Sequence, residues 1–188
     1  MTFTARETYA MLGEEPLWHA AVACHDVLSE AETPHAVIGG VAVCLHGYRR
    51  NTVDVDLLVR PEDMPRIGEA LTVAGFTWNE LGRVFHSPAG IPIQFLAAGG
   101  RAGKRSEVLL PTPADEQVTI MIEGLPVLSL AALIEVKIAC GEGDARRMHR
   151  DFADVVELIA VHKLDGSFAR HLHKMVRPTF RRLVRHVG

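Results

Sequence analysis

Cysteine is scarce in this chain. Cys24, Cys44 and Cys140 are scattered, odd in number, and form no Cys-x-x-Cys pair. That argues against a disulfide scaffold or a thiolate metal site and points to a reduced, cytoplasmic protein. Long apolar runs are missing as well. Each hydrophobic stretch is broken by Gly, His or a charge well short of the ~20 residues that a membrane helix needs. Residues 1–16 carry Glu7, Glu14 and Glu15 and no apolar secretory core, so no signal peptide is expected. There is no His-Glu-x-x-His, no Gly-x-Ser-x-Gly, no fixed-period repeat and no low-complexity tract. The stretch "GGRAGKRS" (99–106) approaches a phosphate loop but fails the Walker pattern, with Ala98 and Arg105 in place of the required Gly and Ser/Thr.

What is present is ordinary in bulk. The 188 residues are 48% hydrophobic and 23% charged. They suit one domain, or one domain with a helical appendage, and exclude whole-chain disorder. The formal charge of −3 hides an asymmetry: residues 1–165 carry −9 and residues 166–188 carry +6, with no Asp or Glu after Asp165. The basic tail is either a solvated helix face complementing an acidic body or a patch for an anionic partner.

Periodicity divides the chain. Leu17, Ala21, Cys24, Leu28 and Ala31 predict a helix over 17–31, ended by Thr33-Pro34. A short apolar strand at 35–38 runs into Gly39-Gly40, and 41–47 reads as a short helix. Alternation over 52–59 predicts a strand, with Pro61 opening the next helix. Strands follow near 76–78, 83–87 and 91–96. Residues 97–117 read as a long, mobile surface loop, and 118–122 and 125–128 as two more extended pieces. Beyond Ser129 the pattern turns helical, with Leu130, Leu133, Ile134 and Ile138 on one stripe and a second helix over 144–162. The expectation is an α/β (α+β) body over 1–128, then a C-terminal helical region over 129–188.

Asp54 and Asp56 carry the chemistry. Two residues apart on a strand, their side chains share a face, and each carboxylate raises the other's cost of burial. A solvated edge strand would explain them, and so would a divalent cation of the Mg²⁺ type, which takes carboxylate oxygens together with phosphate oxygens and water. Context favours the cation. Gly39-Gly40 lies 14 residues upstream of Asp54 at a strand-to-helix junction where a phosphate can approach backbone N–H groups. Arg50 and Thr52 lie between.

The run "IGGVAVCLHGYRRNTVDVDLLV" (38–59) resembles the signature of the DNA polymerase β-like nucleotidyltransferases, and its Arg-x-Thr-x-Asp-x-Asp portion most resembles the AbiEii-type minimal members, which include toxins of toxin–antitoxin and phage-defence systems. The resemblance implies a nucleotidyltransferase-like mixed sheet and transfer of a nucleoside monophosphate from an NTP to a hydroxyl of RNA, tRNA or a protein, with an antitoxin as a further partner. It implies Mg²⁺ or Mn²⁺ at Asp54 and Asp56, and phosphate or nucleotide contacts from Gly39, Gly40, Arg50 and Thr52. Lys137, a lysine on an apolar stripe, needs an anionic partner or a wet cleft. Followed by Asp151 and Asp154 on the next helix, it is similar to the C-terminal motif of the AbiEii-type proteins, where such a lysine contacts the nucleotide and such an aspartate serves activity. The alternative for Asp154 is a surface pair with Arg150.

The superfamily's third carboxylate is expected on 91–96, where Gln94 stands instead. Its carbonyl can ligate a metal but takes no proton near pH 7. Gln94 therefore keeps a second reading open, a weak or inactive nucleotide-binding protein on the same fold. Transfer to a small antibiotic-like acceptor, which needs a strongly acidic pocket, is the third.

Overall fold

A computed structural model describes residues 4–104 and 106–187. Arg105 of the Walker comparison and the first three residues of the N-terminal stretch lie outside them. The chain begins with α1 (Ala5–Met11), which periodicity did not predict. A reciprocal cap starts it: Thr4 Oγ1 accepts from Glu7 N at 3.1 Å, and Glu7 Oε2 accepts from Thr4 N at 2.8 Å. Then come α2 (Glu15–Glu30), β1 (His35–Ile38), α3 (Gly39–Leu45) and β2 (Val55–Val59). After a 3₁₀ turn at Pro61–Asp63 follow α4 (Met64–Val73), β3 (Thr77–Asn79), β4 (Val84–His86) and β5 (Pro92–Ala97). Two short strands, β6 (Thr119–Ile122) and β7 (Leu125–Leu128), precede α5 (Leu130–Gly143), α6 (Ala145–His162) and α7 (Arg177–Val187).

The strands form one mixed sheet in the order β3-β4-β5-β2-β1-β7-β6. β2 lies in the middle, antiparallel to β1 and parallel to β5. Buried on both faces, it reads as an apolar run: Val55, Leu57, Leu58 and Val59 are inaccessible to solvent. Each such side chain contributes about 1.5–3 kcal/mol by leaving water. α5 is apolar on nearly all sides, with Leu133, Ile134, Val136, Ile138 and Ala139 buried, because it is covered by α6 as well as by the core. One hydrophobic cluster runs from Leu17 through Val55 and Leu133 to Phe180. α7 buries Thr179, Phe180 and Leu183 and leaves Arg181, Arg182 and Arg185 exposed. No helix of the described residues is long and apolar enough to cross a membrane.

Within 97–117, expected as a long surface loop, residues 99–102 and 108–110 pair with each other. Gly99 N donates to Leu110 O at 2.8 Å, Leu110 N to Gly100 O at 2.7 Å and Ala102 N to Val108 O at 2.9 Å, so the chain folds back as a hairpin. Ala102, Val108 and Leu110 are buried beneath it. Gly103 and Lys104 are pressed on the end of α5. A Cβ at Gly103 would fall on the carbonyl oxygen of Ala139, and a Cβ at Gly143 would come within 2.7 Å of Lys104 N. Short apolar residues spaced two apart on a Gly-rich segment carry too weak a pattern to reveal such docking.

Gly103→Ala sets side chain against backbone, which cannot swing aside. The expected outcome is a loss of about 1–3 kcal/mol and faster amide exchange across 101–110, read by hydrogen-exchange mass spectrometry. An exchange pattern identical to the parent protein contradicts the docking.

Candidate functional site

The site grows from the central three strands. Asp56 on β2 pairs in register with Ile38 on β1 and with Gln94 on β5. Gly39, next after Ile38, therefore stands beside Asp56. Its φ of +69° is one that L side chains rarely adopt, and a Cβ there would fall on the Asp56 carboxylate. Gly40 gives the same freedom to Thr52, whose Oγ1 would lie 2.6 Å from a Cβ at that position. Both glycines are thus required by close approach.

Asp54 is placed differently from the expectation. The strand predicted from Thr52 starts only at Val55, and Asp54 occupies a bend before it. Thr52 Oγ1 donates to Asp54 Oδ1 at 2.9 Å, a bond between two side chains, and Val53 is turned out to solvent. Asp54 still reaches the site: Gln94 Nε2 donates to its Oδ2 at 3.4 Å. Asp56 is pushed up to about 6 by burial and by the Asp54 carboxylate, against the opposing pull of Lys137, Arg147 and Arg150.

Behind the carboxylates lies a buried network. Lys137 on α5 has a side chain only 6% exposed. Its Nζ is 2.5 Å from Asp154 Oδ2 and 3.1 Å from Asp151 Oδ1, both on α6. Arg50 reaches Asp154 from the other side, with Nε 2.7 Å from Oδ1 and Nη2 donating to Oδ2 at 3.1 Å. Arg147 Nε is 3.3 Å from Asp151 Oδ2. Three cations thus share two carboxylates. The Arg150–Asp154 surface pair considered from spacing is absent among the described contacts, because Asp154 is turned inward to Lys137 and Arg50.

A cavity of about 80 Å³ opens between these groups, lined by Gly39, Asp56, Gln94, Lys137, Arg147 and Asp151 with apolar neighbours such as Leu133. The structure so brings together Gly39, Asp56, Gln94 and Lys137 from the predicted set. Asp54, Gly40, Arg50, Thr52 and Asp154 do not line it: Arg50 is tied to Asp154, and Thr52 lies against Asp54 and Gly40. Arg147, visible in sequence only as one of three neighbouring arginines, is the residue that spacing did not single out.

No group of three or more His, Cys, Asp and Glu side chains is gathered as a metal cage among the described residues. The donor set is two carboxylates and the Gln94 amide. That set fits a hard divalent ion that retains water and takes further oxygens from a ligand, and Asp56, crowded by Asp54, is the group such an ion would relieve.

No family model matches the chain, and no curated protein does. Solved structures resemble it. An antigenic nucleotidyltransferase-like protein from Paracoccidioides brasiliensis is 19% identical at a TM-score of 0.54, over 90% of this chain and 92% of its own. TM1012, a nucleotidyltransferase candidate from Thermotoga maritima, is 17% identical at 0.52, over 73% and 92%. ANT(2'')-Ia in complex with adenylyl-2''-tobramycin is 15% identical at 0.50, over 88% and 94%. The likeness is one of fold: the chain has the fold of the nucleotidyltransferases.

The Asp56 carboxyl holds its proton to about pH 6 in the folded chain, against 3.8 as its ordinary value. The folded state then binds the extra proton between those values, so this group's contribution to stability falls as pH rises from about 4 to about 6. In metal-free buffer Asp56→Asn is expected to melt a few degrees higher than the parent at pH 7.5, about 1–3 kcal/mol of relief, and level with it at pH 4. A melting difference that does not change over that range contradicts the crowding of Asp56.

Proposed function

We propose that the chain is a nucleotidyltransferase that moves a nucleoside monophosphate from an NTP to an acceptor hydroxyl. The cleft carries this reading: one carboxylate pair, one glycine turn and one cationic cluster converge on Asp56. In the reaction the acceptor oxygen bonds to the α-phosphorus while the bond from that phosphorus to the bridging oxygen breaks. Pyrophosphate leaves with the electron pair, and the hydroxyl proton passes to water, since Gln94 has no basic site.

Asp54 and Asp56, with the Gln94 carbonyl, would hold Mg²⁺ or Mn²⁺. When bound, such an ion neutralises phosphate charge and aligns the displacement. The chain's own residues do the rest. Gly39 and Gly40 keep the strand-to-helix turn free of side chains, so the triphosphate tail can lie along the backbone. Lys137 and Arg147 put positive charge into the cleft wall and draw the triphosphate in. Asp154 and Arg50 act as positioning residues that fix the Lys137 ammonium, and Thr52 orients the Asp54 carboxylate. The exposed arginines of α7 suit RNA, whose backbone binds cations in a salt-dependent way.

The finer placement, near the AbiEii-type proteins with a toxin–antitoxin role, rests on the resemblance of residues 38–59. A split into a nucleotidyltransferase core over 1–128 and a helical region over 129–188 belongs to the same reading, with Lys137 supplied by the second part. One observation favours the alternative of a weak or inactive nucleotide-binding protein: Gln94 pairs with Asp56 at the place where a third carboxylate would take the proton.

Incubation of the purified chain with α-³²P-labelled triphosphates, Mg²⁺ and bacterial lysate should label one class of acceptor. The Asp54→Ala/Asp56→Ala variant is expected to lose at least about 100-fold of that signal. Equal labelling by the double variant overturns the assignment, and no labelling by the parent with intact triphosphate binding favours the inactive protein.

A further inference from the structure

The cleft is small, about 80 Å³. A second cavity of about 320 Å³ adjoins it and shares three of its lining residues, Leu96, Cys140 and Arg147. Its size falls within the range of small-molecule sites, roughly 300–1,000 Å³. It lies beneath the 99–110 hairpin, which contributes Arg101 and Lys104 to its wall.

Its charge is distinctive. Arg101, Lys104 and Arg147 line it with one acid, Asp144, and both Asp144 and Arg147 are already engaged, Arg147 by Asp151. Asp144 Oδ1 caps α6 by accepting from Arg146 N at 2.9 Å, and Oδ2 is 3.9 Å from Lys104 Nζ. Arg101 is anchored within the hairpin, while Lys104 is docked by its backbone and its side chain is 80% exposed. Arg101 pairs with Leu109 across the hairpin, its Nη1 donates to Ser106 O at 2.9 Å, and Gly103 and Lys104 are pressed on the end of α5.

Position adds to charge. Gln94 pairs with Asp56 on the β5 side, and Leu96 follows two residues later on the same strand face. Gly39 flanks Asp56 on the opposite, β1 side. In-line displacement at phosphorus requires the attacking and leaving oxygens on opposite sides. With the triphosphate tail along Gly39 and Gly40, the attacking hydroxyl arrives from the side of Gln94 and Leu96, where the second cavity opens.

We infer that the cavity beneath the 99–110 hairpin is the acceptor pocket, and that it takes an acceptor bearing a phosphate near its reacting hydroxyl. Arg101 and Lys104 are its specificity-determining residues. This rests on the nucleotidyltransferase reading and deepens it. The acceptor hydroxyl forms its bond to the α-phosphorus in the step already balanced above, while its own phosphate stays on Arg101 and Lys104. The same cations repel a polycationic aminosugar, which an acidic pocket would be needed to hold.

The test uses the full chain, with the dinucleotide ApA, 5′-AMP, adenosine and tobramycin as probes, titrated by calorimetry in the presence of Mg²⁺ and a non-hydrolysable triphosphate. ApA or 5′-AMP is expected to bind at least about tenfold tighter than adenosine or tobramycin. Tighter ApA marks a nucleic-acid end and tighter 5′-AMP a free nucleotide. Arg101→Glu/Lys104→Glu should weaken the phosphate-bearing probe at least about tenfold and leave triphosphate affinity within about twofold. If that variant misfolds by circular dichroism, Arg101→Gln/Lys104→Gln keeps the bulk and removes the charge. Unchanged probe affinity in the variant, or adenosine binding as tightly as the phosphate-bearing probes, overturns the pocket. Triphosphate binding with no probe binding overturns this inference alone. Charge-dependent probe binding with no triphosphate binding leaves a phosphate cavity and removes both its acceptor role and the nucleotidyltransferase reading.

Discussion

Lys137 carries an ammonium into the seam between α5 and α6, where its side chain is almost closed to water. An unpaired charge there costs several kcal/mol, so the surroundings are arranged around it. Asp151 and Asp154 come from the same face of α6, three residues apart. Arg50 comes from the segment that joins α3 to β2, 104 residues from its partner Asp154. One buried cation thereby ties the helical part of the chain to the segment that leads into the carboxylate strand. Removing Asp154 leaves Arg50 without its acid and Lys137 with Asp151 alone.

The carboxylates in front of this network are arranged in the opposite sense. Asp54 and Asp56 crowd one another, and Asp56 is lifted to about 6. Three shared cations behind two acids leave the rear of the cleft positive, while Asp56 in its lining and Asp54 beside it have no ion pair among the described contacts. Such an array does little for the stability of the empty protein. It is suited to a ligand that brings both signs, a divalent ion with a polyphosphate, and the glycine turn beside Asp56 leaves open backbone for it.

Much of this was legible in the residues, and the misses have physical causes. Alternation over 52–59 and the glycine pair marked the central strands, though β2 is in fact buried on both faces and only Gly39 of the pair has a positive φ. Lys137 stood out because a lysine on an apolar stripe needs a partner, and periodicity put it there. Its partners were visible as an i,i+3 pair, yet their true contacts were not, because Arg50 lies far away in sequence. Asp54 precedes the strand instead of lying on it: alternation cannot foresee the bend at Val53 and Asp54, where Val53 turns out to solvent. The capping box Thr4-x-x-Glu7 was a readable signal for α1 that apolar periodicity alone passes over. The hairpin at 99–110 left almost no trace, since its burial depends on two glycines meeting the backbone of another helix.

The central claim is that floor and wall of the cleft are complementary to a metal–polyphosphate pair and not to either alone. Calorimetric titration of a non-hydrolysable triphosphate into the chain, with and without Mg²⁺, measures this directly. The account requires reciprocal coupling: each ligand tightens the other by at least about tenfold, and the coupling disappears in Asp54→Ala/Asp56→Ala. Triphosphate binding of equal strength with and without the ion, or coupling that survives in the double variant, would contradict it.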